Sequence, residues 1–265
     1  MDVTVWCVKQ NEFFGNLAGR LLDAPVFVDE PVPECERVHI LGMVDPPAYG
    51  ATLEATRAAR ERVVHWLGPD VLRLEYPGLL PEAIHLCDSE GLRRSLFERG
   101  VDAEVVPWPA AHHFPVTPLP DAPVVAVYFG GNAMEYCART IAVVESMMPG
   151  VEFRGFMRGQ LDEDEMSELV EGSRVFLRLS HHEGGALTAR EFMGAGRRAV
   201  IGQHIPYARV VHPDDLLGIV IALRECLAEN EPDQEAAEYW RERNDESGFR
   251  ERVERAMCRP DFASD

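Results

Sequence analysis

The sequence predicts an α/β protein built from parallel sheets, on three observations. Apolar runs of strand length alternate with helix-like segments along the chain of 265 residues. A proline-rich stretch divides the chain before its midpoint. Residues 175–202 follow the order strand, loop, helix, strand, with a polar, glycine-containing loop at the carboxyl end of the first strand. Because open parallel sheets bind ligands at that edge, this unit is the candidate functional site.

The first hundred residues repeat strand-like and helix-like runs. Strand candidates are 3–8, 26–28, 38–41, 63–66, 83–87 and 103–106, and helical spacing marks 12–22, 49–60 and 91–99. This alternation predicts a parallel sheet covered by helices. We assign residues 1–115 to a first Rossmann-like domain.

A hinge and a second domain follow. Residues 107–123 contain six prolines, which disfavour both helix and central strand and fit an interdomain linker. The second domain, 116–232, opens with a strand at 124–129 and a helix ending at Met148. Between them, Gly130 and Gly131 either wrap a phosphate or form a tight turn. Residues 233–265 form a helical segment that either packs back on the first domain or lies on the surface.

The loop of the central unit holds two carboxylates around an anion site. Gly184 and Gly185 allow close approach to the main chain, and amides up to Thr188 would point out of a helix N-terminus. Glu183 and Glu191 would repel phosphate but can accept hydrogen bonds from sugar hydroxyls. A nucleotide-sugar has both kinds of group. Alternatively, Thr188 to Glu191 is a capping box and needs no ligand.

This stretch resembles a known signature. Glu183 and Glu191 are separated by seven residues and followed by FMGAG and an apolar strand. The pattern is similar to that of retaining, family-4-like glycosyltransferases. The resemblance extends upstream to residues 151–180 and downstream to the aspartate turn at 213–216 and the helix after it. It implies the GT-B fold, in which two Rossmann-like parallel-sheet domains face a central cleft, with 1–115 on the acceptor side and 116–232 binding the nucleotide-sugar.

The resemblance also implies an activity and residue roles. The reaction would transfer a sugar from a nucleoside-diphosphate-sugar to a hydroxyl acceptor with retention of configuration. Glu191 would bind the ribose and Glu183 the donor sugar near the transferring centre. The diphosphate would lie along four residues of the loop and the helix that follows it: Gly184, Gly185, Leu187 and Thr188.

Two residues after a first-domain strand complete the predicted site. His65 and Asp70 would face the cleft; His65 is a catalytic candidate and Asp70 an acceptor-side candidate. Either residue can instead be structural, as a lone histidine after a strand commonly is.

The cations of the diphosphate site depart from the family pattern. Those enzymes use an arginine and a lysine from the early second domain, whereas Lys9 is the only lysine in this chain. Arg154, Arg158 and Arg178 are possible substitutes, and Arg158, in a loop after a strand, is our first choice. Arginine can bind phosphate in a bidentate manner.

Composition limits the other classes of function. A net charge of −19 disfavours a broad nucleic-acid surface. No apolar run reaches the length of a membrane span, and the six cysteines are scattered, so we expect a cytoplasmic protein with reduced thiols. We expect no metal and no cofactor beyond the donor substrate. The acidic Asp162 to Asp164 fits a helix first turn better than a metal motif.

Two rival functions share the predicted fold. A GT-B nucleotide-sugar epimerase would convert the donor without consuming an acceptor. A catalytically degenerate transferase would bind nucleotide-sugars or act as a scaffold. The sequence does not name the base, the sugar or the acceptor.

Overall fold

A computed structural model describes residues 3–7, 12–42, 46–67, 82–110, 112–129, 137–157, 159–180 and 186–257. The strands are β1 (Val3–Cys7), β2 (Val26–Val28), β3 (Cys35–Leu41), β4 (Ala59–Trp66), β5 (Ile84–Cys87), β6 (Glu104–Val105), β7 (Val124–Tyr128), β8 (Glu152–Phe156), β9 (Val175–Arg178), β10 (Arg198–Ile201) and β11 (Arg209–Val210). The helices are α1 (Glu12–Leu22), α2 (Pro46–Ala55), α3 (Glu90–Phe97), α4 (Ala138–Ser146), α5 (Glu163–Glu171), α6 (Leu187–Gly194), α7 (Leu216–Ala228), α8 (Gln234–Arg243) and α9 (Ser247–Met257).

The chain forms two compact units. Unit 1 contains residues 1–108 together with 246–265, and unit 2 contains residues 109–245. The sequence had placed the boundaries at 115 and 232. The C-terminal segment is divided between the units, because α8 belongs to unit 2 and α9 to unit 1.

Unit 1 is a parallel sheet with a hydrophobic core on each face. Its strands within the described residues follow the order β2-β1-β3-β4-β5-β6, and neighbouring strands among them run parallel. Side chains alternate between faces along each strand. One face buries Trp6, Ile40 and Trp66 in a single cluster. The opposite face carries His39 and His65.

Helix α9 covers the histidine-bearing face of unit 1. The ring of Phe249 in α9 lies 4.9 Å from the ring of Trp108 and 6.4 Å from that of His65, measured between centroids. Phe249 and Val253 are fully buried. Phe249, Val253 and Ala256 recur at helical spacing and form the buried face of α9.

One predicted helix of unit 1 was placed too far along the chain. The spacing predicted a helix over residues 49–60, but α2 ends at Ala55 and β4 begins at Ala59. The charged start of β4 pairs across the sheet: Arg37 Nε lies 2.7 Å from Glu61 Oε2, and Arg60 lies 3.3 Å from Glu36. Cross-strand ion pairs thus stabilise, as the start of a strand, residues that the sequence had placed at the end of a helix.

Unit 2 is a second parallel sheet. Its described strands follow the order β11-β10-β9-β7-β8. One hydrophobic cluster includes Phe176 and Phe192 on the side of α6. A second cluster on the other face includes Ile141 of α4 and Leu223 of α7. The predicted strand at 124–129 and the two strands of the predicted unit at 175–202 are confirmed.

Helix α6 ends at a glycine in the left-handed region. Gly196 has φ +77°, a conformation that glycine adopts at little cost. Its N–H donates to Met193 O, and the next residue, Arg197, donates from its N–H to Phe192 O. These two bonds form a Schellman motif, which satisfies the last carbonyls of the helix.

The proline-rich segment is fastened to unit 2 by a buried arginine. Arg197 is fully buried and donates to Thr117 O at 2.8 Å and to Val170 O at 3.0 Å. Burial lowers the pKa of Arg197, and Glu171 partly offsets this. The segment after Trp108 is therefore an ordered part of unit 2 rather than a free linker.

None of the described helices is long and apolar enough to cross a membrane.

Candidate functional site

The carboxyl edge of the unit 2 sheet contains a topological switch point. From β7 the chain continues to β8 on one side of the sheet, and β9 pairs with β7 on the other side. Crevices at such points are the usual ligand sites of open α/β sheets. The last residues of the two strands that flank the switch point are Tyr128 and Arg178.

Arg178 brings a positive charge to this edge. Its guanidinium carbon lies 4.7 Å from the centre of the Tyr128 ring, a cation–π contact that fixes the direction of the side chain. The Arg178 side chain is half-buried and Tyr128 is buried. The strand end thus presents a cation that the protein holds in place before any ligand binds.

Helix α6 begins at the same edge, directly after the β9 loop. Its N-cap residue is Ala186, with φ 48° and no side-chain cap. The first amides of a helix have no acceptor within the helix and carry partial positive charge. Thr188 is the second residue of the helix and not its N-cap, so the capping-box interpretation of Thr188 and Glu191 is wrong.

Glu191 lies one turn into α6 and is 6% exposed. Its Oε1 accepts a hydrogen bond of 3.1 Å from the main-chain N–H of His112. A cavity of about 10 Å³ lies beside the carboxylate, lined in part by His112, Phe114 and Arg241. This is space for about one water molecule. Glu191 is therefore a buried, oriented carboxylate near the start of α6.

Arg190 is a structural residue of the site that sequence reasoning missed. It is 1% exposed and donates to Asn244 Oδ1 from Nε at 3.2 Å and from Nη2 at 3.0 Å. Its guanidinium carbon also lies 5.1 Å from the Trp240 ring centre. These contacts tie α6 to α8 and so fix the orientation of the helix that carries Glu191. A partner 54 residues away leaves no local sequence signal.

Several predicted site residues lie outside the described residues, and their assignments stay predictions. These residues are Asp70, Gly130, Gly131, Arg158, Glu183, Gly184 and Gly185. Leu187 and Thr188 are described, and both side chains are half-buried in the first turn of α6.

His65 is placed inside unit 1. Its side chain is fully buried, with ring centroids 4.7 Å from Trp108 and 5.5 Å from His39. Burial lowers the pKa of His65 well below its ordinary value, and the charge of His39 adds to this effect. The packing favours the structural role that the sequence left open, and the catalytic role stays a prediction.

Two other charged candidates have structural roles. Arg154 donates to both carboxylate oxygens of Glu152, at 2.7 and 3.1 Å. This bond raises the pKa of Arg154 and lowers that of Glu152. Asp162 is the N-cap of α5 and forms a capping box with Glu165. The interpretation of Asp162 to Asp164 as acidic residues at a helix start is confirmed.

These two parallel-sheet α/β units have the GT-B fold of glycosyltransferases, and comparisons with solved structures confirm it. The chain is similar to the lipopolysaccharide outer core galactosyltransferase WaaB, with a TM-score of 0.71 and 12% identity over 97% of this chain and 99% of WaaB. It is also similar to TarM, with a TM-score of 0.63 and 10% identity over 86% of this chain. The chain is also similar to a UDP-forming trehalose-phosphate synthase from Burkholderia xenovorans, with a TM-score of 0.59 and 11% identity over 85% of this chain.

The extent of these similarities differs. The match spans 55% of TarM and 74% of the Burkholderia synthase, so this chain covers about half the length of TarM. The sequence matches no protein-family model and has no significant match among curated proteins. At these identities the similarity shows the fold. The finer assignment to retaining, family-4-like enzymes stays a prediction.

Proposed function

We propose that this protein is a glycosyltransferase that transfers a sugar from a nucleoside-diphosphate-sugar to a hydroxyl acceptor with retention of configuration. The observation that carries the proposal is the position of α6. The helix starts at the carboxyl edge of a GT-B second domain, beside the switch point, with Glu191 buried one turn from its start. Such an edge binds phosphates and polar ligand groups together.

The donor is assigned to unit 2. Glu191 accepts hydrogen bonds from the ribose, and Glu183 contacts the donor sugar. The amides of the glycine loop and the first turn of α6, with Leu187 and Thr188, bind the diphosphate. Two neighbours support a nucleotide donor by their descriptions: one is a galactosyltransferase, and the other is a UDP-forming synthase.

The cation of the diphosphate site is an arginine. The sequence analysis favours Arg158, which follows a predicted strand. Arg178 is supported by its position at the end of β9, beside the switch point, and by its contact with Tyr128. Arg154 is a weaker choice because its guanidinium is already bonded to Glu152. Arg158 and Arg178 are therefore the two arginines to test by substitution.

The chemistry follows from where charge develops. When the bond between the sugar and the diphosphate breaks, negative charge grows on the diphosphate and positive charge on the sugar carbon. Helix amides and a guanidinium stabilise the negative charge on the diphosphate most when they are oriented before the reaction. The contact with Tyr128 orients Arg178 in this way. Main-chain amides and an arginine stabilise the charge on the diphosphate, and no metal ion is required.

The test is a panel of nucleoside diphosphates followed by their nucleotide-sugars. A ligand that binds the native state raises its apparent melting temperature, so thermal shift identifies the base. The matching sugar donors are then incubated without acceptor. Slow release of nucleoside diphosphate and free sugar, with the product anomer followed by NMR, is the expected result.

Other outcomes identify the rivals. An epimerised donor without release of nucleoside diphosphate would show an epimerase, and tight binding without turnover would show a degenerate binding protein. The absence of a thermal shift with every nucleoside diphosphate would contradict the proposal itself.

A further inference from the structure

Two histidines share one buried face of the unit 1 sheet. His39 of β3 and His65 of β4 are both fully buried, and their rings are stacked with centroids 5.5 Å apart. Neither ring nitrogen of His39 has a hydrogen-bond partner among the described residues. The main chain of Val106 favours the protonated form of His65, but burial and the charge of His39 outweigh it. Because an uncompensated charge is costly in such a place, this face is packed for two neutral imidazoles.

The side chains that cover the two histidines are aromatic. The ring of Trp108 lies 4.7 Å from that of His65 and 6.4 Å from that of His39, and Phe249 of α9 lies 6.4 Å from His65, all between centroids. Phe14 of α1 lies 5.6 Å from Trp108, and α1 and α9 are in contact. A proton on either imidazole therefore reaches bulk water only after this cover has moved.

The charged groups around this face do not compensate a proton on the histidines. The charged residues of the two covering helices are Glu12 and Arg20 on α1 and Arg250, Glu251, Arg252, Glu254 and Arg255 on α9. Two further titratable groups are Asp88, which accepts a hydrogen bond of 2.7 Å from Trp108 N–H, and Cys7, which lies two strands from His65 on the same face. Burial lowers the pKa of both histidines, and His39 lowers that of His65 further; none of these other groups has a comparable effect.

The sheet of unit 1 has a core that does not depend on α9. The hydrophobic cluster around Trp6 and Trp66, on the opposite face, includes no residue of α9 within the described part of the chain. Helix α9 is held by its buried side chains, among them Phe249, and by an ion pair just before its start, in which Arg20 Nη2 lies 2.7 Å from Glu246 Oε1. Both side chains of that pair are partly exposed, and such pairs contribute little stability. Detaching α9 therefore costs less free energy than unfolding unit 1.

We propose that α9 is an acid-sensitive cover: protonation of His39 and His65 releases it from the sheet of unit 1 while the sheet itself stays folded. With α9 released, both imidazoles reach water and bind protons as exposed histidines do. Each proton bound only in the released state shifts the equilibrium towards release as the pH falls. This regulation is independent of the transferase proposal.

Hydrogen exchange measured by mass spectrometry at about pH 7 and about pH 5 tests the release. Protection factors are compared segment by segment, because they correct for the intrinsic pH dependence of exchange. At the lower pH, the protection of residues 247–257 should fall by about tenfold for each histidine, or about a hundredfold together. The protection of β3 and β4 in unit 1 and of β7 in unit 2 should change much less.

Three variants assign the effect to the histidines. His39→Leu should remove about tenfold of the pH-dependent loss of protection in α9, and His204→Leu, at an exposed position in unit 2, should leave that loss unchanged. Glu246→Gln removes the ion pair with Arg20 and should lower the protection of α9 by the same factor at both pH values. Circular dichroism verifies that each variant is folded.

The wild-type measurement is decisive even without the variants. Equal protection of α9 at the two pH values would overturn the proposal, and so would an equal loss of protection in α9 and in both sheets. An unchanged pH dependence in a folded His39→Leu protein would also overturn it.

Discussion

The carboxylate of Glu191 accepts a hydrogen bond from the main-chain N–H of His112, at 3.1 Å. Glu191 lies near the start of α6, and His112 lies in the proline-rich segment that Arg197 also fastens to unit 2. The residue proposed to bind ribose is thus also an anchor for this segment. The two roles respond differently to substitution.

Replacing Glu191 by glutamine or alanine separates these roles. Glutamine keeps an oxygen that can accept from His112, so the free energy of unfolding should change little. It loses the charge-assisted bonds to the ribose, and nucleotide affinity should fall about tenfold. Alanine should lose the same affinity and about 1–3 kcal/mol of stability, because the part-buried N–H is left without this acceptor.

Isothermal titration with the best nucleoside diphosphate, together with urea unfolding, measures both effects. Wild-type affinity in the glutamine variant would assign Glu191 to the anchor role alone.

Replacing Arg178 by methionine should weaken binding of the nucleoside diphosphate by about tenfold or more, because a guanidinium–phosphate contact is lost. Binding of the nucleoside without phosphates should be unchanged. Arg154→Met is the control, because Arg154 is bonded to Glu152. Equal losses for the two variants would argue against a specific phosphate contact at Arg178.

The sequence predicted the alternation of strands and helices, the unit from β9 to β10 and the GT-B fold. The first two depend on local patterns of apolar runs and turn residues, whereas the GT-B fold came from the resemblance of the stretch around Glu183 and Glu191 to a glycosyltransferase signature. It did not predict the bonds from Arg197 to Thr117 or from Arg190 to Asn244. These contacts join residues far apart in the chain, and a buried arginine has the same local pattern as an exposed one.

Stability should fall as the pH is lowered below the ordinary histidine pKa. Burial lowers the pKa of His39 from 6.5 to about 4, so the unfolded chain binds a proton in a range where the folded protein does not. The contribution of His39 to stability is complete above about pH 6.5 and decreases towards pH 4. For one histidine, the free energy of unfolding changes by at most about 1.4 kcal/mol per pH unit.

Urea unfolding at several pH values between these limits measures the slope. His39→Leu should reduce it, and His204→Leu, at an exposed position, should not. An identical slope in all three proteins would show that His39 is not the group responsible.

Phe249→Ala should destabilise the protein by about 3–5 kcal/mol, the usual cost of a large cavity in a core. Phe249 is fully buried, and its ring centroid lies 4.9 Å from that of Trp108. Phe97→Ala on the exposed face of α3 should cost less than about 0.5 kcal/mol. Thermal or urea unfolding measures the loss of stability in each variant. Similar losses for Phe249→Ala and Phe97→Ala would contradict the packing of α9 against the sheet of unit 1.

Unit 1 is completed by α9, which the chain supplies only after all of unit 2. During synthesis on the ribosome, which proceeds from the N-terminus, the histidine-bearing face of the first sheet therefore has no α9 to cover it until residues 247–257 emerge. Unit 2, although translated later, has its whole sequence available earlier than unit 1 does. A chain cut short after residue 245 would contain all of unit 2 but would leave the first sheet without α9, and such a chain is a natural substrate for chaperones.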